Sequence, residues 1–125
     1  LSAFVALIGM FTGAPAHADA PAPKTATAKY EVRFMTGMIE HHAMAIMMAE
    51  LCEDRAVHPE LLALCEEIKA AQMAEMEQMQ SWLQDWYGIS YEPEMKPGMM
   101  RQMERLASLS GAEFEIEFMK MMIRH

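Results

Sequence analysis

Two adjacent histidines and several methionines lie in one short stretch of the chain, FMTGMIEHHAMAIMMAE, residues 34–50. His41 and His42 carry imidazole nitrogens, and Met38 and Met48 carry thioether sulfurs. Thioether sulfur is a poor ligand for zinc, magnesium or calcium but suits Cu(I), whereas imidazole binds copper in either oxidation state. These residue types therefore predict a copper site, with Cu(I) as the preferred ion and Cu(II) as the alternative.

The same pattern recurs at the other end of the sequence. Residues 30–42, YEVRFMTGMIEHH, align without a gap with residues 114–125, FEIEFMKMMIRH, as far as the pair His41 and His125. Both copies keep Met-x-x-Met-x-x-His, so Met122 and His125 repeat the first copy's methionine and histidine. Hydrophobic matching alone would not retain these three positions, and we therefore interpret the two segments as an internal repeat.

A helix that carries Met-x-x-Met-x-x-His spreads its three ligands over about 120° of its circumference, so two such helices could hold one ion between them. The predicted ligands are Met38, His41, His42, Met48, Met122 and His125, with Met35, Met79 and Met119 as secondary candidates. We expect Gln72 and Glu75 to orient the imidazoles rather than to bind the ion. For any single methionine the competing interpretation is flexible core filler, the usual role of methionine at helical spacing.

Helices must position these side chains, because apolar residues recur at spacings of three and four from Tyr30 onward. The predicted elements are a first helix ending near Arg55, a second from Pro59 to Gly88, a short third over about 98–109, and a last one starting at Ser110 with Glu113 as its capping-box partner. Strand patterns are absent. The predicted fold is all-α, an antiparallel, ferritin-like four-helix bundle over residues 29–125, with the last helix expected to be truncated because the sequence ends inside the second motif.

The expected packing of the first two helices follows from a hairpin that turns near residue 57. The face of the first helix expected to point inward carries Phe34, Met38, His41, Ala45, Met48 and Cys52. In this register His42 faces Gln72, and Cys52 and Cys65 are offset by roughly 4.5 Å along the axis. That offset does not favour a disulfide, so a disulfide, two buried thiols and two soft metal ligands all stay open.

Residues 1–18 have the pattern of a secretory signal peptide. The apolar run LSAFVALIGMF is followed by Ala16-His17-Ala18, so we expect cleavage before Asp19 and a periplasmic protein. An uncut N-terminal anchor is the alternative, although the run is shorter than the about 20 residues that span a bilayer. Residues 19–28, DAPAPKTATA, predict a flexible leader.

Three stretches together resemble a known family. FMTGMIEHHAMAIMMAE, QMAEMEQMQSWL (72–83) and SGAEFEIEFMKMMIRH (110–125) resemble the bacterial domain-of-unknown-function 305 family over roughly residues 28–125. The residues that carry the resemblance are Met38, His41, His42, Met48, Ala49, Gln72, Glu75, Met79, Met122 and His125. The resemblance implies an exported, ferritin-like four-helix protein and, because several members are tied to copper binding or tolerance, a part in copper homeostasis.

The sequence thus predicts a periplasmic protein that sequesters copper or hands it to a partner protein, and not an enzyme. A ferritin-like di-metal oxidoreductase needs Glu-x-x-His pairs, and no glutamate lies three residues before any histidine of the predicted bundle. The main alternative is a metal-free, methionine-rich bundle that binds other proteins. The net charge of −8 opposes binding to nucleic acid or to an anionic membrane, and no stable membrane insertion is expected after signal cleavage.

Overall fold

A computed structural model describes residues 20–22 and 24–125 of the chain. Its four helices are α1 (Thr25–Arg55), α2 (Pro59–Tyr87), α3 (Pro97–Ala107) and α4 (Gly111–Arg124). These residues form no strand, so the predicted all-α bundle is confirmed. None of these helices is both long and apolar enough to cross a membrane. The predicted signal peptide, residues 1–18, lies outside the described residues.

The first helix begins earlier than the sequence pattern predicts. The composition of residues 25–28 predicts part of the leader, but these residues are helical. The backbone N–H of Ala28 donates to the carbonyl of Lys24 at 2.8 Å. Starting a helix is costly, whereas extending one adds a hydrogen bond for each residue fixed. Propagation from the apolar part of α1 therefore overrides the composition of these four residues.

The remaining helix ends lie close to the residues that predicted them. Pro59 is in the first turn of α2, and Gly88 ends that helix with a φ of 65°, a left-handed conformation that glycine adopts without strain. Ser110 precedes α4 as predicted, but its side chain makes no capping hydrogen bond. The capping-box prediction is wrong because Gly111 has a φ of 56°, whereas a capping box requires helical geometry immediately after the cap.

The helix α1 is the element on which the other three pack. The antiparallel helix α2 runs back along it, and α4 lies antiparallel to its second half. At one end of this α1–α4 contact, Arg55 Nη1 donates to the carbonyl of Leu109 at 2.9 Å. At the other end, the rings of His41 and His125 stack. The first half of α1 therefore has α2 on one side and no helix of the described residues on the α4 side.

Two apolar clusters form the interior. The larger cluster lies between the second half of α1, the start of α2, α3 and α4, and its buried members are Met44, Met48, Ala49, Cys52, Cys65, Met103, Leu106, Phe114, Phe118 and Met121. The smaller cluster joins the first half of α1 to the end of α2, and its buried members are Met35, Ile39, Met79 and Leu83. Each fully buried large side chain contributes about 1.5–3 kcal/mol to folding, so the larger cluster is the main stabilising unit.

The face of α1 that points inward differs from the predicted one. Phe34 is 51 % exposed and His41 is also exposed, whereas Met35 and Ile39 are buried against α2. The predicted stripe is buried only in the second half of α1, at residues such as Met48, because α4 covers that half alone. The helix α1 carries two apolar faces, and periodicity alone does not indicate which neighbouring helix covers each face.

A disulfide between Cys52 and Cys65 joins α1 to α2, with Cα atoms 6.2 Å apart. The pairing of the helices is therefore displaced by nearly one turn from the predicted register, and His42 faces Glu75 rather than Gln72. The predicted register assumes a symmetric hairpin about residue 57, whereas the connection between the helices shifts α2 along α1. The disulfide closes a short loop and contributes about 3 kcal/mol. Neither cysteine remains as a free thiol or a soft ligand.

A buried glutamate fixes the connection between these two helices. Glu115 of α4 accepts hydrogen bonds from the backbone N–H groups of Val57 at 2.7 Å and His58 at 2.9 Å. Its second oxygen lies 2.6 Å from Nδ1 of His58. The N–H group of His58 is the largest cause of a lowered pKa for the Glu115 carboxyl, and the ring of His58 and the N–H of Val57 act in the same direction. The charged carboxylate therefore holds α4 to the start of α2.

Candidate functional site

The two adjacent histidines of α1 point towards different neighbours. Consecutive residues on a helix are about 100° apart, and the ring centroids of His41 and His42 are 6.1 Å apart at an angle of 58°. His42 is turned towards α2 and His41 towards α4. The two imidazoles therefore do not face a common centre.

His42 is buried and both of its ring nitrogens are occupied. Its Nδ1 lies 2.7 Å from the carbonyl oxygen of Met38, and its Nε2 lies 2.7 Å from Oε2 of Glu75. Both ring nitrogens therefore face oxygen atoms of the protein. A metal ion could reach neither nitrogen without displacing its oxygen partner. Gln72 has no hydrogen bond to either histidine.

His41 and His125, equivalent positions of the repeat, form a reciprocal pair. Their rings stack with centroids 3.5 Å apart and an angle of 12° between planes. Nε2 of His41 donates to the carbonyl of His125 at 2.9 Å, and Nε2 of His125 donates to the carbonyl of His41 at 2.8 Å. A carbonyl only accepts, so each ring carries its hydrogen on Nε2. The two Nδ1 atoms have no hydrogen-bond partner within residues 24–125.

The surroundings of this pair favour uncharged imidazole at His125. Burial lowers the pKa of His125 from its usual value, and the neighbouring ring of His41 lowers it further because two imidazolium charges would repel. The hydrogen bond to the carbonyl of His41 acts in the opposite direction but is outweighed. Metal binding requires neutral imidazole. His125 is therefore kept in the form that can bind an ion.

One pocket is lined both by methionines and by this histidine. It has a volume of about 450 Å³, lies between α1, α3 and α4, and is lined by Met44, Met48, Gln102, Arg105, Glu117, Met121, Arg124 and His125. The three methionines are buried and belong to the larger apolar cluster. At the rim, Glu117 lies 3.7 Å from Arg105 and 3.6 Å from Arg124. The pocket thus combines three thioethers and one imidazole under a charged rim.

The other predicted ligands lie elsewhere in the bundle. Met35 and Met79 pack together in the smaller cluster, and Met38 packs against that cluster from its edge. Met119 is exposed on the outer side of α4, and Met122 packs against the larger cluster without lining the pocket. Of the nine predicted ligands, the structure places Met48 and His125 together in this pocket. Met38 and His41 line a second pocket, along the first half of α1.

Two methionines of the pocket were not among the predicted ligands, namely Met44 and Met121. Their positions were readable in part, because Met44 precedes Met48 by one helical turn and Met121 precedes His125 by one turn. The repeat does not indicate Met121 as a ligand, because Met121 aligns with Gly37 and lies outside the shared Met-x-x-Met-x-x-His pattern. Spacing of four on each of two facing helices was the available signal.

Harder ligands do not converge in the described part of the chain. No group of three or more His, Cys, Asp or Glu side chains is arranged to hold a metal ion among residues 24–125. The carboxylates nearest the histidines already have partners within the protein. Glu75 contacts His42, and Glu40 pairs with Lys96 at 2.7 Å and accepts a hydrogen bond from Tyr91 at 2.6 Å. The described residues therefore offer soft sulfur and imidazole donors, and they form no metal site built from carboxylates.

The sequence was compared with known protein families and structures. The model of a family described as Domain of unknown function (DUF305) matches residues 31–125, about three quarters of the chain. No curated protein and no solved structure matches it.

Proposed function

Because the chain belongs to the domain-of-unknown-function 305 family, a membership that specifies no activity, we propose its function from its own side chains: it is an exported protein that binds copper as cargo through methionine and histidine. It sequesters the ion or hands it to a partner protein, and it does no chemistry on a substrate. The ion is Cu(I).

The observation that carries this proposal is the pocket between α1, α3 and α4. Met44, Met48 and Met121 line it together with the neutral imidazole of His125. Neutral sulfur and imidazole donors match the softness of Cu(I). From the predicted ligand set the proposal keeps Met48 and His125, and it adds the two other methionines.

The charges around the pocket favour the singly charged ion over Cu(II). Two arginines, Arg105 and Arg124, stand at the rim with one carboxylate, that of Glu117, between them. The rim therefore carries one net positive charge, and repulsion grows with the charge of the ion. The pocket offers no carboxylate besides Glu117, which is already shared by the two arginines.

Export is supported by the disulfide as well as by the signal-peptide pattern. Disulfides form and persist in oxidising compartments such as the bacterial periplasm and are rare in the cytosol. Cys52 and Cys65 are joined in this structure. We propose the periplasm as the compartment, where His125, the least buried of the four proposed ligands, is the ligand that a receiving protein would reach first.

The test is an anaerobic Cu(I) titration against a colorimetric competitor. Replacing Met44, Met48 and Met121 together by leucine removes three sulfurs while nearly conserving side-chain volume, a change that cores usually tolerate. We expect the affinity for Cu(I) to fall about tenfold or more, equivalent to 1.4 kcal/mol. His125→Ala should weaken binding in the same direction.

The matched control is the double variant Met35→Leu, Met79→Leu, which alters two buried methionines of the smaller cluster. It should bind Cu(I) as the unmodified chain does. Equal weakening in both sets would place the ligands outside the pocket, and no copper binding above background by the unmodified chain would refute the proposal.

A metal-free interaction module is the second candidate. Three apolar side chains on the outer side of α4, Ile116, Met119 and Ile123, are exposed, and exposed apolar patches often mark protein contacts. This alternative predicts no Cu(I) binding and capture of a partner that is lost on replacing Ile123 by Glu. The titration separates the two candidates.

A further inference from the structure

The charges at the mouth of the pocket between α1, α3 and α4 do not balance. Oε1 of Glu117 lies 3.7 Å from Nη2 of Arg105 and 3.6 Å from Nη2 of Arg124. Both arginines line the pocket, and Glu117 is the one carboxylate among its lining residues. One negative side chain is therefore shared by two positive ones, and the mouth carries a net positive charge before an ion enters.

The two guanidinium groups also keep their hydrogen-bond donors available. Each guanidinium carries five N–H donors, and its distance from Glu117 is longer than a normal N–H···O hydrogen bond. The side chains of Arg105 and Arg124 are 74 % and 67 % exposed, whereas that of Glu117 is 17 % exposed. Glu117 therefore keeps two guanidinium groups near one point while their donors can still bind a further anion.

The metal donors deeper in the pocket add no negative charge. The thioethers of Met44, Met48 and Met121 are neutral and buried, and His125 binds a metal as neutral imidazole. A Cu(I) ion held by these groups would add a second positive charge beneath the one at the mouth. Positive charges at close range repel, and a charge removed from water is costly unless an opposite charge accompanies it. The chain's own side chains in the pocket do not supply that opposite charge.

We propose that the pocket takes up Cu(I) together with one chloride ion, an inference that rests on the copper binding proposed above. The chloride coordinates the copper and accepts hydrogen bonds from the guanidinium groups of Arg105 and Arg124. Copper and chloride enter as a neutral pair, one Cu–Cl bond forms, and no electron is transferred. A pocket of about 450 Å³ has room for both ions. A carboxylate could also pair with the arginines, but its hard oxygen matches Cu(I) less well than polarisable chloride does.

An anaerobic Cu(I) titration of the full chain against a colorimetric competitor tests the inference, with chloride replacing perchlorate at constant ionic strength. Protein and competitor draw on the same free copper, so chloride complexes in solution cancel from the exchange equilibrium. We expect the affinity for Cu(I) to rise about tenfold when chloride reaches ten times its own Kd. Equal affinity with and without chloride would overturn the inference and leave the copper proposal standing. No copper binding at any chloride concentration would overturn both.

The double variant Arg105→Gln, Arg124→Gln removes both guanidinium groups and keeps Glu117. Without chloride it should bind Cu(I) more tightly than the unmodified chain, because the repulsion is gone, and chloride should give it no further gain. A purely structural role of the two arginines would instead weaken binding by the same factor at every chloride concentration. Arg101→Gln is the matched control, since Arg101 is exposed on α3 and does not line the pocket, and it should keep the full chloride dependence. A double variant that still responds to chloride would overturn the inference.

Bromide in place of chloride gives a direct readout of the coordinated anion. X-ray absorption at the copper edge should show a bromine neighbour of the copper in the unmodified chain and in Arg101→Gln, and none in the double variant. Circular dichroism should show unchanged helix content in both variants, because the replaced side chains are exposed. Copper surrounded only by sulfur and nitrogen in the unmodified chain would overturn the inference, even if its affinity depended on chloride.

Discussion

Residues 30–42 and 114–125 carry nearly the same sequence pattern and occupy opposite environments. In the second copy the aromatic side chains Phe114 and Phe118 lie in the larger apolar cluster. Their equivalents in the first copy, Tyr30 and Phe34, are exposed. The difference arises because α1 lies over the aromatic face of the second copy, whereas that face of the first copy has no neighbour among residues 24–125.

The other face of the pattern shows the reverse. Met35 and Ile39 of the first copy are buried against α2, while their equivalents Met119 and Ile123 are exposed. The pattern therefore carries two apolar faces, and either can become the core. Which face is buried is decided by the neighbouring helix rather than by the pattern itself.

The two copies meet at equivalent residues and hold opposite ends of α2. His41 and His125 stack with reciprocal hydrogen bonds. Glu115 holds the start of α2 through His58, and its equivalent Glu31 accepts a hydrogen bond from Tyr87 at the end of α2. Equivalent residues of the two copies therefore occupy positions that are approximately two-fold related around the histidine pair.

The largest expected contrast is between the two phenylalanines of the repeat. Phe118→Ala should lower the free energy of unfolding by about 3–5 kcal/mol, because it empties a fully buried site. Phe34→Ala should lower it by less than about 1 kcal/mol, because this side chain is half exposed. Urea denaturation at low protein concentration measures both. Equal losses would mean that the aromatic faces of the two copies are equally covered.

The apolar face on the other side gives the second contrast, with the roles of the copies exchanged. Ile39→Ala should lower the free energy of unfolding by about 2–5 kcal/mol, since the side chain of Ile39 is fully buried between α1 and α2. Ile123→Ala should change stability by no more than about 0.5 kcal/mol. Thermal unfolding followed by circular dichroism measures both, and a large loss from Ile123→Ala would show that its side of α4 is covered in solution.

The contacts that the two glutamates make at the ends of α2 should respond to pH in opposite directions. This is the smallest of the three expected effects on stability. The pKa of Glu115 is lowered in the fold, so its contribution is complete above the ordinary value of 4.5 and is lost as the pH falls through the lowered value. The hydrogen bond to Glu31 raises the pKa of Tyr87, so that contribution is complete below 10.0 and is lost as the pH rises.

Melting temperatures measured against pH check this expectation. Glu115→Gln should remove part of the acid loss and leave the alkaline loss unchanged, whereas Tyr87→Phe should do the reverse. Tyr91, whose pKa Glu40 raises to about 12, contributes to the alkaline loss in both variants and serves as an internal reference. Identical pH profiles for the two variants would contradict the assignment of one glutamate to each end of α2.

Much of the fold could be predicted from local sequence, because local chemistry determines it. Pro59, Gly88 and Ser110 mark helix ends through backbone geometry, and the apolar spacing gave the all-α bundle. The register of the first hairpin could not be predicted in this way. It depends on the stagger between two helices, which the disulfide of Cys52 with Cys65 records and which no local pattern encodes.

The site was less predictable than the fold. The soft character of the ligands was readable from the repeated methionines and histidines, and the copper assignment stays a prediction. The grouping of Met44 with Met121 depends on how α4 crosses α1, a tertiary fact. The residue type of His42 predicts a ligand, but its ring nitrogens contact the carbonyl oxygen of Met38 and the carboxylate of Glu75. Residue type indicates what a side chain could bind, and packing decides whether it is available.

The bond between α1 and α2 also sets how the chain would respond to mechanical force. When the two ends are pulled apart, the segment between Cys52 and Cys65 cannot be drawn out while the bond is intact. That segment covers a separation of 13 residues, and at about 3.5 Å per extended residue it withholds roughly 45 Å of contour length. Single-molecule extension traces should therefore lengthen by that amount when a reductant is added.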